Sequence, residues 1–183
     1  MDNDQVSDPT AELEISQQRS NIDDIGYSRI LIPHDGSERS DKALAHAIYI
    51  SKLSGAEIVI LNVIEHVKDT DSSALIATSS GSQDGSNLSE EKLQVTIYGK
   101  VKQMVEEKIK LCKQAGVKSQ ISYKIQTGRP PLEEIVDVAH AMSVDLIIMA
   151  SSKITGSIKV HGSITRKVID STNKPVLVIH EQK

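Results

Sequence analysis

Two stretches of the sequence bring together residue types that could do chemistry, and the second of them could hold a phosphorylated ligand. After the apolar run Arg29-Ile-Leu-Ile-Pro33, the residues His34-Asp35-Gly36-Ser37 put an imidazole, a carboxylate and a hydroxyl into one turn. The second stretch runs from Met149 through Ala150-Ser-Ser-Lys153-Ile-Thr-Gly156 to Gly162-Ser163-Ile164-Thr165. A buried strand that empties into small residues, followed by a helix opening with Gly-Ser, turns backbone N–H groups toward an anion. Lys153, Lys159 and His161 add cationic side chains to that loop. The chemistry these residues favour is anion binding.

Bond-making chemistry has less support. His34 beside Asp35 invites an acid–base reading, but neighbours on an extended strand point to opposite faces, and His34 reads as an exposed imidazole at a strand end. Ser37 has no base partner in the pattern and reads as a helix cap. The six histidines show no pair at metal-ligand spacing, so no metal site is expected. The single cysteine, Cys112, lies in a helical apolar stripe and reads as a small core residue.

These residues need a scaffold, and composition limits which one. The chain has 183 residues, 38% of them hydrophobic, enough for one core, and that core must be aliphatic because Phe and Trp are absent. The same absence argues against a base-stacking nucleic-acid surface. Residues 1–26 hold seven acids against Arg19, a net of −6, which leaves +2 for the remainder of a chain whose net charge is −4. A nearly neutral folded part offers no electrostatic footprint for DNA or RNA. There is no leader pattern and no run of about 20 apolar residues, so no membrane association is expected. With one cysteine, a cytoplasmic setting is the expectation.

Residues 1–26 read as a disordered acidic tail ahead of a domain spanning 27–183, and 67–88, rich in Ser, Asp, Gly and Thr, as a mobile loop. Strands are expected at 29–33, 57–64, about 118–126, 144–149 and 175–179. Helices are expected between them: one capped by Ser37 or Ser40 and stopped by Gly55, one carrying Val101, Met104, Val105, Ile109 and Cys112, one after Pro130-Pro131, and one over 164–170. Strict β-α alternation with strands too continuously apolar for a wet face predicts an open doubly wound α/β domain, a five-stranded parallel sheet with helices on both faces. In such sheets ligands sit at the carboxyl ends of strands where the strand order reverses. Pro33, His34, Asp35, Val63 and Met149 are expected there.

Four stretches in order, Ile30-Leu-Ile-Pro-His-Asp-Gly-Ser37, Gly128-Arg-Pro130, Asp145-Leu-Ile-Ile-Met149 and Pro175-Val-Leu-Val-Ile179, resemble the universal stress protein family from Tyr27 to Lys183. The resemblance implies an adenine-nucleotide alpha-hydrolase-like fold and a small stress-response or regulatory module. It also implies binding of ATP or AMP, with Mg2+ accompanying ATP, and at most slow ATP hydrolysis. Asp35 would meet the adenine or ribose side and Val63 the base. The family's phosphate signature is Gly-x-x-Gly, nine residues, then Gly-Ser or Gly-Thr. Here Ala150 and Lys153 stand at the first two glycines, and eight residues separate Lys153 from Gly162-Ser163. Lys153 would strain a position needing positive φ, while Gly156 offers a displaced flexible point. The alternative reading is a nucleotide-free interaction protein with a decayed site, acting through its dimer surface and loops. The resemblance further implies a homodimer through antiparallel pairing of the last strand, Pro175 to Ile179.

Overall fold

The computed structural model describes residues 26–65, 90–151 and 163–180. The acidic tail and the 67–88 segment lie outside these residues. The chain alternates β1 (Arg29–Pro33), α1 (Glu38–Ser54), β2 (Glu57–Ile64), α2 (Glu90–Gln114), β3 (Ile121–Thr127), α3 (Pro131–Ala141), β4 (Leu146–Ser151), α4 (Ser163–Ser171) and β5 (Val176–His180). All pairings are parallel and the strand order is β3-β2-β1-β4-β5.

Strand periodicity explains why the central strands are apolar throughout. Ile30, Ile32, Ile58, Ile60, Leu146 and Ile148 pack with Ala43, Leu44 and Ala47 of α1 and Val105 and Cys112 of α2. The alternate residues Leu31, Val59, Leu61, Ile147 and Met149 pack with Ile135, Val138 and Ala139 of α3 and Val168 of α4. A period of two with helices on both sides leaves no face for polar residues. Chain direction decides which helix goes where. The walk β1 to β2 to β3 and the walk β4 to β5 run in opposite directions from the centre, so right-handed crossovers put α1 and α2 on one face and α3 and α4 on the other.

Most boundaries match the expected ones, and the departures have local causes. β4 begins at Leu146, not Val144, because the Asp145 carboxylate accepts hydrogen bonds from Ser28 N at 2.8 Å and Arg29 N at 2.9 Å, joining the starts of β1 and β4. β3 begins at Ile121, not near Lys118, since Ser119 Oγ lies 2.7 Å from the Ala56 carbonyl and the chain there closes the entry to β2. β5 begins after Pro175, whose carbonyl accepts from Ile147 N. The first helix is capped by Ser37 and ended by Gly55 at φ 75°, a left-handed conformation that suits glycine.

Candidate functional site

The strand order reverses between β1 and β4, and a cleft of about 260 Å3 opens at the carboxyl edge of the sheet there. Eight of the residues expected from the sequence line it: Pro33, His34 and Asp35 after β1, Val63 of β2, Met149 and Ala150 of β4, and Ile164 and Thr165 of α4. Lys153, Gly156 and Gly162 lie outside the described residues. Ser163 opens α4.

The β1–α1 turn is the most heavily bonded part of the site. Gly36 sits at φ 86°, which a side chain would strain, and lets the chain turn sharply from strand to helix. Ser37 caps α1, its Oγ accepting from Ser40 N at 3.3 Å. The Asp35 carboxylate is the centre of the turn: Oδ1 accepts from Ser37 N at 3.0 Å, from Ser37 Oγ at 2.6 Å and from Ser40 Oγ at 2.6 Å. Burial pushes its carboxyl up, but the hydrogen bonds from Ser37 and Ser40 together outweigh burial and hold it below the ordinary value. All three bonds fall on one oxygen, so Asp35 is oriented as an acceptor and stays ionised.

The expectation of an exposed His34 is corrected here. Its side chain is fully buried, because β1 ends under α1 and the imidazole turns into that interface. Gly36 N donates to Nδ1 at 3.1 Å, which leaves the proton on Nε2, 3.0 Å from Asp41 Oδ1. Asp41 in turn pairs with Lys108 of α2. Burial lowers the His34 pKa, and the Asp41 hydrogen bond and charge only partly oppose it, so the ring is neutral. Asn62 Nδ2 donates to the His34 carbonyl at 2.7 Å. His34 therefore positions the turn that carries Asp35.

The opposite rim is largely aliphatic. Met149, Ala150 and Ile164 line it, and Thr165 Oγ1 reaches the Ala150 carbonyl at 3.3 Å. Ala150 and Ser151 still belong to β4, pairing with Ile179 and His180, so the strand runs further than the loop read from Ala150 onward. The Ala150 methyl packs against the core beneath α1, a contact that glycine would lack.

Six further residues line the cleft: Ser37, Arg39, Ser40, Leu61, Pro131 and Ile135. Leu61 and Ile135 belong to the apolar runs of β2 and α3, Ser37 and Ser40 were expected as caps, and the sequence pattern gave Arg39 no role. The available signal was topological. All helices start at the carboxyl edge, so first-turn residues of α1 and α3 had to approach it. Away from the cleft, burial raises the Cys112 thiol to about 11, in keeping with a core role. Among the described residues, no cluster of three or more His, Cys, Asp or Glu is placed to hold a metal, and no helix is long and apolar enough to cross a membrane.

Comparison with known proteins places this geometry in context. Residues 26–180 match the model of the universal stress protein family. A universal stress protein of Methanocaldococcus jannaschii is 33% identical over 156 residues, which cover 84% of this chain and 94% of the relative. A solved structure of that relative superposes with a TM-score of 0.66 at 29% identity, covering 87% of this chain and 99% of the other. Two more distant solved structures share the fold. One is a universal stress protein in complex with cAMP, at TM-score 0.58 and 19% identity over 86% of this chain and 99% of that one. The other is a universal stress protein of Archaeoglobus fulgidus in complex with dAMP, at TM-score 0.54 and 20% identity over 84% and 98%.

Proposed function

Because the chain belongs to the universal stress protein family, we propose that its cleft binds an adenine nucleotide, ATP or AMP, and that the protein works as a small cytoplasmic regulatory module in a stress response. The observation that carries this reading is the convergence of Asp35, Val63, Met149 and Thr165, from four different elements, on one crevice at the strand-order reversal. Leu61, Val63 and Met149 offer apolar walls for a flat base, and Asp35 offers a fixed acceptor for an amine or hydroxyl. The cAMP and dAMP held by proteins of like fold support the ligand class. Asp35 is the one acid among the described residues lining the cleft. A Mg2+ ion arriving with ATP would accordingly be held mostly by phosphates and water.

Binding fits these residues better than turnover. Among the described residues, the imidazole lining the cleft is His34, whose Nδ1 accepts from the Gly36 N–H and whose Nε2–H donates to Asp41, so it has no lone pair left with which to activate water. A homodimer is proposed through β5, an edge strand that pairs only with β4 among the described residues and carries Val176-Leu-Val-Ile179. Val178→Asp should then move the sedimenting species from dimer to monomer, and a wild-type monomer at tens of micromolar would end this part of the proposal.

Mass spectrometry of small molecules released by denaturing freshly purified protein, followed by calorimetry with ATP, AMP and adenosine, tests the nucleotide reading. Adenine nucleotide in the released fraction and measurable heats are expected. No heat with any of the three at millimolar concentration would favour the nucleotide-free interaction protein, a reading that Ala150 supports by standing where the family signature has its first glycine.

A further inference from the structure

Arg39 stands out in the first turn of α1 because no partner among the described residues accounts for it. The positive end of the helix dipole disfavours a cation there, and Glu38 and Asp41 beside it follow the usual acidic preference. Arg39 is half-buried, lines the cleft, and has no hydrogen bond or ion pair among the described residues. Neither Asp35 nor Asp41 forms an ion pair with it: Asp35 Oδ1 takes hydrogen bonds from Ser37 and Ser40, and Asp41 pairs with His34 and Lys108. A partly exposed guanidinium that water alone satisfies, on a residue lining a crevice, is free to pair with something that enters the crevice.

The group that matches Arg39 is an anion. The first turns of α1, α3 and α4, represented by Arg39, Pro131 and Ile164, all border the cleft, so three helix N-termini add partial positive charge to that of Arg39. Arg presents a planar fork of N–H donors that suits a phosphoryl group. Resting on the nucleotide reading above, we propose that Arg39 is the specificity-determining contact for the ligand's phosphoryl group, so that the cleft selects a phosphorylated nucleotide over the nucleoside. Charge from α1 then supplies part of what the family's glycine loop obtains from backbone donors, in a chain whose signature is altered at Ala150 and Lys153.

The test is calorimetry on the full chain with AMP and adenosine, for the wild type, Arg39→Gln and Arg39→Lys. Hydrogen bonds to charged groups imply that Arg39→Gln weakens AMP about ten- to a hundredfold. Adenosine should change less than about twofold, and Arg39→Lys should recover part of the AMP affinity. The salt dependence of AMP binding should become shallower in Arg39→Gln. Equal weakening of AMP and adenosine would overturn the proposal, since Arg39 would then act by shaping the cleft. So would unchanged AMP affinity, or a wild type that binds adenosine as tightly as AMP, and in these cases nucleotide binding itself survives. A wild type that binds neither ligand would remove the nucleotide reading together with this one.

Discussion

The β1–α1 rim of the cleft is held by hydrogen bonds that join His34, Asp35, Ser37, Ser40 and Asp41, whereas the β4–α4 rim is held by Met149, Ala150 and Ile164 and by the packing of Val168 beneath them. A polar tie on that rim is the Thr165 hydroxyl on the Ala150 carbonyl. Hydrogen bonds are directional and fail when a single atom changes; apolar packing depends on volume and tolerates chemistry that preserves it. The first rim is therefore suited to discriminating between ligands and the second to keeping the crevice in shape. Substitutions on the two sides should separate selectivity from stability.

The largest effect on stability is expected from the apolar side. Val168 is fully buried against Ile147 and Met149, and Val168→Ala should cost about 2 kcal/mol from lost transfer and cavity terms. For a domain of this size that lowers the thermal midpoint by about 4–8 °C. Ligand preference should be unaltered. A midpoint within a degree of wild type would show that α4 is not anchored through this side chain.

Asp35→Ala attacks the other rim and should reverse the pattern. Three donors lose a shared acceptor, but water reaches the exposed position 35 and the buried Ser40 hydroxyl can turn to the Ser37 carbonyl, so the stability loss should be about 1 kcal/mol. Preference for adenine over guanine nucleotides, read by competition, should fall. If that preference persists undiminished, the polar rim is not the discriminating one.

The smallest effect is a pH dependence that belongs to the polar rim. The folded state holds His34 below its ordinary value of 6.5, so the unfolded chain takes up the proton more readily. Stability from this residue is complete above about pH 6.5 and declines as pH falls through the folded value. Asp35 and Asp41 are also held low, Asp41 because its bonds to Lys108 and His34 outweigh burial. Their contribution is present above 3.8 and is lost as pH falls below that through their folded values. Thermal midpoints measured from pH 8 to pH 5 should fall on acidification, and His34→Asn should flatten the fall between pH 6.5 and 5. A midpoint that rises over that interval would contradict a neutral, Gly36-bonded ring.

Much of this protein can be read directly from its residues. The runs Ile30-Leu-Ile32, Ile58-Val-Ile-Leu61 and Leu146-Ile-Ile148 admit no wet face, so a parallel sheet covered on both sides followed from them. Ser37, Gly55 and Pro131 marked helix ends because each does locally what a helix end requires. Asp35, Val63, Met149 and Thr165 could be placed at one edge because a parallel sheet sends all its strand ends to the same side. Family motifs and topology pointed the same way there.

Other properties depend on which surfaces meet, and these were settled by packing. His34 read as exposed because it stands at the end of a strand. It is buried because α1 folds back over the end of β1 and supplies Asp41, while α2, far along the chain, supplies Lys108. Arg39 carried no signal in the sequence pattern, and it borders the crevice because the direction of α1 brings its first turn to the carboxyl edge of β1 and β4. Local periodicity reports which face of an element is apolar. Whether a polar side chain on the other face meets water, a partner or a ligand depends on residues dozens of positions away, and only packing brings those together.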